Sequence, residues 1–264
     1  MASKLVLVTG ASSGIGAATA KLYAARGARV LLLARNQAKL DEVAAAIKRD
    51  GGAASPYAVD LADPSAISET SARIQREAGT PDILVNNAGA GRWLPLLETS
   101  AEEALAMIEV PYLAAFNLTR AFLPEMMARR SGAIACITSP GSYVAWPNAS
   151  AYIAARHALL GFTESLRADL RRTGLTVTLV VLGEVETAYW QHNPGSREHV
   201  PKSNPMLAPV LRPEQAAQAI VQGVERGQRR VVKPAILRAL FLLNLLAPDV
   251  VARQLRRSVK KPSA

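Results

Sequence analysis

Eight residues near the start limit this chain more than any others: Thr9-Gly10-Ala11-Ser12-Ser13-Gly14-Ile15-Gly16. They follow the short apolar run 5–8 and open an amphipathic stretch at 15–26. Gly10 permits a sharp turn off a strand, Gly14 lets backbone approach a pyrophosphate, and Gly16 allows close helix–strand packing. Unbonded N–H groups at the helix start then face the anion. A glycine-rich turn taken alone is as often a plain turn. Its place at the first strand–helix junction selects a phosphate loop, with Gly10, Ser12, Ser13, Gly14, Ile15 and Gly16 on a dinucleotide.

The same alternation continues along the chain. Residues 5–8, 30–33, 57–59, 83–85, 134–138 and 177–181 read as strands. Stretches at 15–26, 37–49, 67–77, 101–129 and 149–172 read as helices. Strands alternating with helices predict right-handed crossovers and a parallel sheet buried on both faces. The expected fold is α/β: a single-domain Rossmann-type doubly wound parallel sheet with helices on both faces. That domain spans 1–233, with a substrate loop at about 184–213, whose stretch from Pro194 to Pro213 is too long for a simple connection. A basic, apolar extension follows at 234–264.

Composition removes several other classes. Half the residues are apolar and a fifth charged, as in ordinary soluble domains. Cys136 is the one cysteine, so no disulfide forms within the chain, and its apolar run 133–137 predicts a buried thiol. Three scattered histidines carry no metal-ligand spacing. The apolar run after Met1 is too short for a secretory signal, which predicts the cytoplasm or its membrane face. The net charge of +10 is concentrated in residues 226–264, where ten basic side chains face one acid, Asp249. These bases surround the apolar run 236–247, a pairing that fits an interfacial membrane segment rather than a nucleic-acid arm. Residues 234–248 fall short of the ~20 apolar residues needed to span a bilayer. They lie in an interface, close over a cleft or pack on another subunit.

Two further sets of residues carry chemistry. The second strand ends at Ala34-Arg35, where an NAD site would place an acid for the ribose 2′-hydroxyl. No carboxylate opposes a 2′-phosphate and a guanidinium is present to pair with it, so the expected cofactor is NADP(H). The bland reading of Arg35 is a solvated loop side chain. Tyr152 and Arg156 lie four apart on one helix face, and a fixed cation favours an ionised phenol. Ser139, at the end of the preceding strand, is placed to hold a carbonyl against that phenol. A surface tyrosine beside a solvated arginine is the alternative.

With these residues in hand, residues 4–190 resemble the short-chain dehydrogenase/reductase family. Thr9–Gly16 matches its TGxxxGxG loop, and Asn86-Asn87-Ala88-Gly89 matches its NNAG. Ser139 and Tyr152 come in the expected order, and 161–167 is similar to the continuation of the tyrosine helix. The resemblance implies that Asp60 and Leu61 contact adenine, that Asn87, Ala88 and Gly89 border the cofactor, and that Val185 and Thr187 hold the nicotinamide end. It also implies Tyr152 as acid/base, Ser139 as the group polarising the carbonyl, and a small-molecule carbonyl or alcohol substrate. Helices 101–129 and 149–172 commonly pair subunits in that family, so a homodimer or homotetramer is expected.

Three positions depart from the family pattern. Its lysine is Arg156, its helix asparagine falls at Pro111, and the proline before Gly183 is Leu182. Arginine still supplies positive charge but does not relay a proton, and proline offers neither an amide side chain nor a backbone N–H. Two readings therefore stand side by side: a reductase or dehydrogenase with a rewired relay, and a cofactor-binding protein with little turnover, acting as sensor or partner subunit. Arg92, Trp93, Tyr143, Trp146, Tyr189, Trp190 and His192 are the expected substrate contacts, for a lipophilic carbonyl.

Overall fold

A computed structural model describes residues 3–89, 91–200 and 209–258. Within them β1 (Leu5–Thr9) leads to α1 (Gly14–Ala25), β2 (Arg29–Ala34), α2 (Gln37–Arg49), β3 (Ala53–Ala58), α3 (Pro64–Glu77) and β4 (Ile83–Asn86). α4 (Ala101–Ile108), α5 (Ala114–Ala128), β5 (Gly132–Thr138), α6 (Ser150–Asp169) and β6 (Leu175–Leu182) follow. Two short helices, α7 (Tyr189–His192) and α8 (Ser196–His199), precede α9 (Pro213–Glu225), β7 (Arg230–Lys233), α10 (Leu237–Leu246) and α11 (Pro248–Ser258).

The described strands form a parallel sheet in the order β3-β2-β1-β4-β5-β6-β7. Its inner strands β1 and β4 read as apolar runs because both faces are covered. Alternation sorts them: Val6, Val8, Val30, Leu32, Val85 and Val180 join the layer under α1, α2 and α9. Leu7, Leu31, Leu33, Leu84, Cys136 and Leu179 join the layer that also holds Ile67, Phe122 and Leu166. Chain order reverses between β1 and β4. At such a switch point the loops beyond the two strands part and open a crevice for a ligand.

Several sequence expectations are corrected. β3 begins at Ala53, four residues before the expected start at 57; its alanines lack β-branching, and Pro56 is tolerated because β3 is an edge strand. β7 was missed, since only Val231 and Val232 are apolar between basic ends. The expected helix 101–129 is broken by a π-helical turn at Glu109–Leu113 centred on Pro111, whose missing N–H and ring oppose a regular α-helical ladder. The Pro194–Pro213 stretch is partly helical, at α8, and ends where α9 begins; 201–208 lie outside the described residues. The apolar segment 236–247 forms α10, and Lys260 and Lys261 lie outside the described residues.

Candidate active site

The phosphate loop leaves β1 in the left-handed region at Gly10 (φ 66°) and again at Gly14 (φ 52°). Gly16 has no room for a side chain: a Cβ there would lie 2.2 Å from the Gly10 carbonyl oxygen. A Cβ at Gly14 would lie 3.0 Å from the Thr187 methyl, so the threonine beyond β6 arrives beside the loop. Ser13 caps α1 in extended backbone, with no acid in the first helical turn. The first N–H groups of α1 therefore have no carboxylate competing for them. This cradle fits the pyrophosphate of a dinucleotide.

Thr9 ties that loop to the next one. Its hydroxyl accepts from the N–H groups of Asn87 and Ala88, both at 2.9 Å, and donates to the Val85 carbonyl at 3.3 Å. Asn87 Nδ2 donates to the Thr9 carbonyl at 2.9 Å. Gly10, Gly16, Asn87, Ala88, Thr187 and Gly14 are thus one packed group. The sequence reading left Thr9 out of the site, although its place at the head of the glycine motif marked it. Arg35 stands exposed after β2, and Asn36 caps α2 by accepting from Lys39 N–H at 3.0 Å. Asp60 is exposed and accepts from Ala62 N–H at 3.0 Å, while Leu61 is buried. Val185 is buried and bridges to Leu211.

Ser139 and Tyr152 converge on Gly141. A Cβ on that glycine would lie 3.1 Å from Ser139 Oγ and 3.3 Å from Tyr152 Cε1. Ser139 Oγ accepts from Gly141 N–H at 3.1 Å, leaving its own proton to donate elsewhere. Ser142 Oγ donates to the Arg156 carbonyl at 2.9 Å and meets Thr138 Oγ1 at 2.6 Å. This pair fastens the second turn of α6 to the end of β5, which fixes Tyr152 relative to Ser139. Neither Thr138 nor Ser142 was picked out from sequence; hydroxyls beside a strand end carry no pattern of their own.

Arg156 is only 6% exposed, which removes the solvated-arginine reading. Its guanidinium lies over the Tyr152 ring, 4.6 Å from the centroid. It also packs on Gly89, where a Cβ would come within 3.2 Å of one terminal nitrogen and 3.3 Å of the other. A cation placed on a ring face is attracted by the π-electrons, which holds the two side chains together.

Around the Tyr152 ring stand Trp93 (centroids 5.4 Å apart), Met107, Trp146 and Tyr189. The Tyr189 hydroxyl donates to the Gly91 carbonyl, and burial pushes its pKa well above the ordinary tyrosine value; Tyr152 adds to the rise and Arg156 opposes it. More bonds hold the α7–α8 segment over this ring: Arg92 Nε to the Pro194 carbonyl at 3.0 Å and Trp93 N–H to Ser196 Oγ at 3.1 Å. Glu184 accepts from Trp190 Nε1 at 3.2 Å and pairs with Arg197. Two expected contacts lie elsewhere. Tyr143 stacks on Phe241 (centroids 4.6 Å apart) outside the Tyr152 cluster, and His192 is exposed, as is His157, whose Nδ1 meets the Ile153 carbonyl. Among the described residues no group of acids, histidines and cysteine is placed to hold a metal ion. Cys136 is fully buried, and burial raises its thiol pKa.

Residues 4–197 match the family model described as short chain dehydrogenase. A fatty acyl-CoA reductase of Acinetobacter baylyi is 34% identical over 249 residues, covering 94% of this chain and 81% of the relative. A solved short-chain dehydrogenase from Sphingobium yanoikuyae in complex with NADPH matches with a TM-score of 0.79 and 26% identity, over 99% of this chain and 98% of that one. A metagenomic short-chain oxidoreductase in complex with NADP matches with a TM-score of 0.72 and 32% identity, over 87% of this chain and 96% of that one.

Proposed function

The chain belongs to the short-chain dehydrogenase family and is an oxidoreductase of that type; from this premise we propose that it interconverts a lipophilic carbonyl and its alcohol, using NADP(H). When bound, the nicotinamide gives or takes the hydride. The observation that carries the reading is the meeting of Ser139 Oγ and the Tyr152 ring at Gly141, with the Arg156 guanidinium over that ring.

Each residue then has a task. The Ser139 hydroxyl, held by Gly141 N–H, donates to the carbonyl oxygen and polarises it. The Tyr152 hydroxyl gives its proton to the alkoxide in reduction and takes it back in oxidation. Arg156 keeps a permanent positive charge beside the phenol and does not itself pass a proton on. Gly10, Ser12, Ser13, Gly14, Ile15 and Gly16 hold the pyrophosphate, Arg35 the 2′-phosphate, and Asp60 and Leu61 the adenine. Asn87, Ala88 and Gly89 line the middle of the cofactor, while Val185 and Thr187 hold its nicotinamide end. Trp93, Met107, Trp146 and Tyr189 keep water from the phenol and favour a lipophilic substrate, a class to which the acyl chains handled by the Acinetobacter relative also belong.

The reacting domain is 1–233, with its substrate loop at about 184–213 and the extension 234–264 outside it. It works in the cytoplasm as a homodimer or homotetramer, without nucleic acid, and the extension supplies a peripheral membrane contact. Among the described residues no helix is long and apolar enough to cross a membrane. A second reading, binding of the cofactor with little turnover, is favoured by Pro111 inside the π-helical turn and by Arg156 at the lysine position.

One experiment separates them: an NADPH titration followed by oxidation assays with a panel of lipophilic aldehydes and ketones. Saturable binding with turnover that falls at least ~100-fold in Tyr152→Phe supports hydride transfer. Binding without oxidation of NADPH by any carbonyl leaves the sensor reading. Failure to bind NADPH removes both.

A further inference from the structure

The helix α10 is apolar on both sides. Leu237, Leu240, Phe241 and Asn244 turn toward the body of the protein, where Asn244 Nδ2 donates to the Tyr143 carbonyl at 3.0 Å. On the opposite arc Leu242, Leu243, Leu245 and Leu246 face outward, the last two at 78% and 74% exposure. Val250, at the start of α11, is also exposed. Water does not stabilise a contiguous leucine face, so such a patch marks a surface with a partner.

Charge decides what the partner is. Arg238 on α10 and Arg253, Arg256 and Arg257 on α11 are all exposed. Beside them a groove of about 980 Å³ is lined by Tyr143, Arg229, Arg230, Arg238, Phe241 and Leu245. Behind its wall Glu164 pairs with the lining Arg229 (2.5 Å) and Arg230 (3.4 Å) and with Arg167 (2.7 Å). One carboxylate among three guanidiniums leaves the wall positive. The Tyr143 hydroxyl is shielded from solvent and has no hydrogen-bond partner among the described residues. A second copy of the chain docked face to face here would bring one positive surface against another, and like charges repel. A nucleic acid would leave the leucines uncovered.

We propose that α10, α11 and the start of β7 form a docking surface for an anionic lipid membrane. The outward leucines enter the acyl layer while the arginines meet phospholipid head groups, one of which occupies the Tyr143–Arg230–Arg238 groove. This deepens the membrane contact of the proposed function by fixing its face and its lipid chemistry. An amphipathic segment lying in the interface needs this combination of apolar insertion and cationic attraction.

The full chain is tested by co-sedimentation with phosphatidylcholine vesicles, with and without phosphatidylglycerol. Binding is expected only with the anionic lipid, weakening as salt is raised. The triple variant Leu242→Ser, Leu245→Ser, Leu246→Ser is expected to lose most of it. Arg229→Gln with Arg230→Gln is expected to weaken it at least ~10-fold, at roughly fivefold per arginine. Unchanged circular dichroism and NADPH affinity in these variants show that the fold and cofactor site are intact, and NADPH oxidation reports on hydride transfer separately. No sedimentation with anionic vesicles, equal binding to neutral ones, or wild-type binding by the triple variant would each overturn the proposal. Cross-linking from position 245 to a second copy would overturn it too.

Discussion

At the carboxyl end of β1 a methyl group has nowhere to go, whereas on the outer arc of α10 four leucines stand exposed. The two regions are both unusual in sequence, one by its glycines and the other by its apolar run. They differ in how their residues are satisfied. Around Thr9, Gly16 and Asn87 the space is filled by the chain itself, and the first turn of α1 carries no acid and no side-chain cap bond. Around α10 the inward side is satisfied by the core and the outward side is exposed. A tightly filled site specifies its ligand in detail, and an open apolar face specifies only the kind of medium.

The contrast breaks most visibly at Gly16→Val. Its Cβ would have to displace the Gly10 carbonyl, so we expect a stability loss of about 3 kcal/mol and at least a ~100-fold weaker Kd for NADPH. Thermal unfolding and fluorescence titration measure both; near-wild-type binding would mean the loop does not hold the cofactor. Leu237→Ala comes next. This residue is 7% exposed and its Cδ1 approaches Gly183, so its loss should cost about 2–3 kcal/mol in urea unfolding. A cost near zero would show that α10 is not docked on the sheet.

Two exposed residues sharpen the comparison. Arg35→Ala should leave stability unchanged and lower the preference for NADP over NAD about tenfold, the worth of one charge-assisted hydrogen bond. Dissociation constants for both cofactors test it, and an unaltered ratio would remove Arg35 from the phosphate site. Smallest of all, Leu245→Ser should change unfolding free energy by less than ~0.5 kcal/mol, since most of its side chain is already exposed. A larger loss would mean that the outer arc is covered by the chain itself.

Legibility followed locality. The Thr9–Gly16 turn, the strand runs and the Tyr152–Arg156 pair were readable because each depends on neighbours within a few residues. Thr138, Ser142 and Glu184 were not, because their partners lie on other elements: Arg156 for Ser142, Trp190 and Arg197 for Glu184. The same holds for β7 and for Tyr143. Its ring is an expected substrate contact, yet it stacks on Phe241, which lies far along the chain. Pro111 was visible as a departure, but only the folded chain showed a π-helical turn there.

The residue order by itself determined the alternating strands and helices, the glycine-rich turn and the candidate acid/base tyrosine, since backbone geometry and side-chain spacing act over short range. Tertiary structure alone decided that the Arg156 guanidinium lies across the phenol face instead of in solvent. It also decided that Ser139 meets Tyr152 at Gly141 and that half of α10 is left uncovered. Those outcomes depend on how distant elements share space, and no local pattern encodes the volume that remains when a sheet and its helices close on one another.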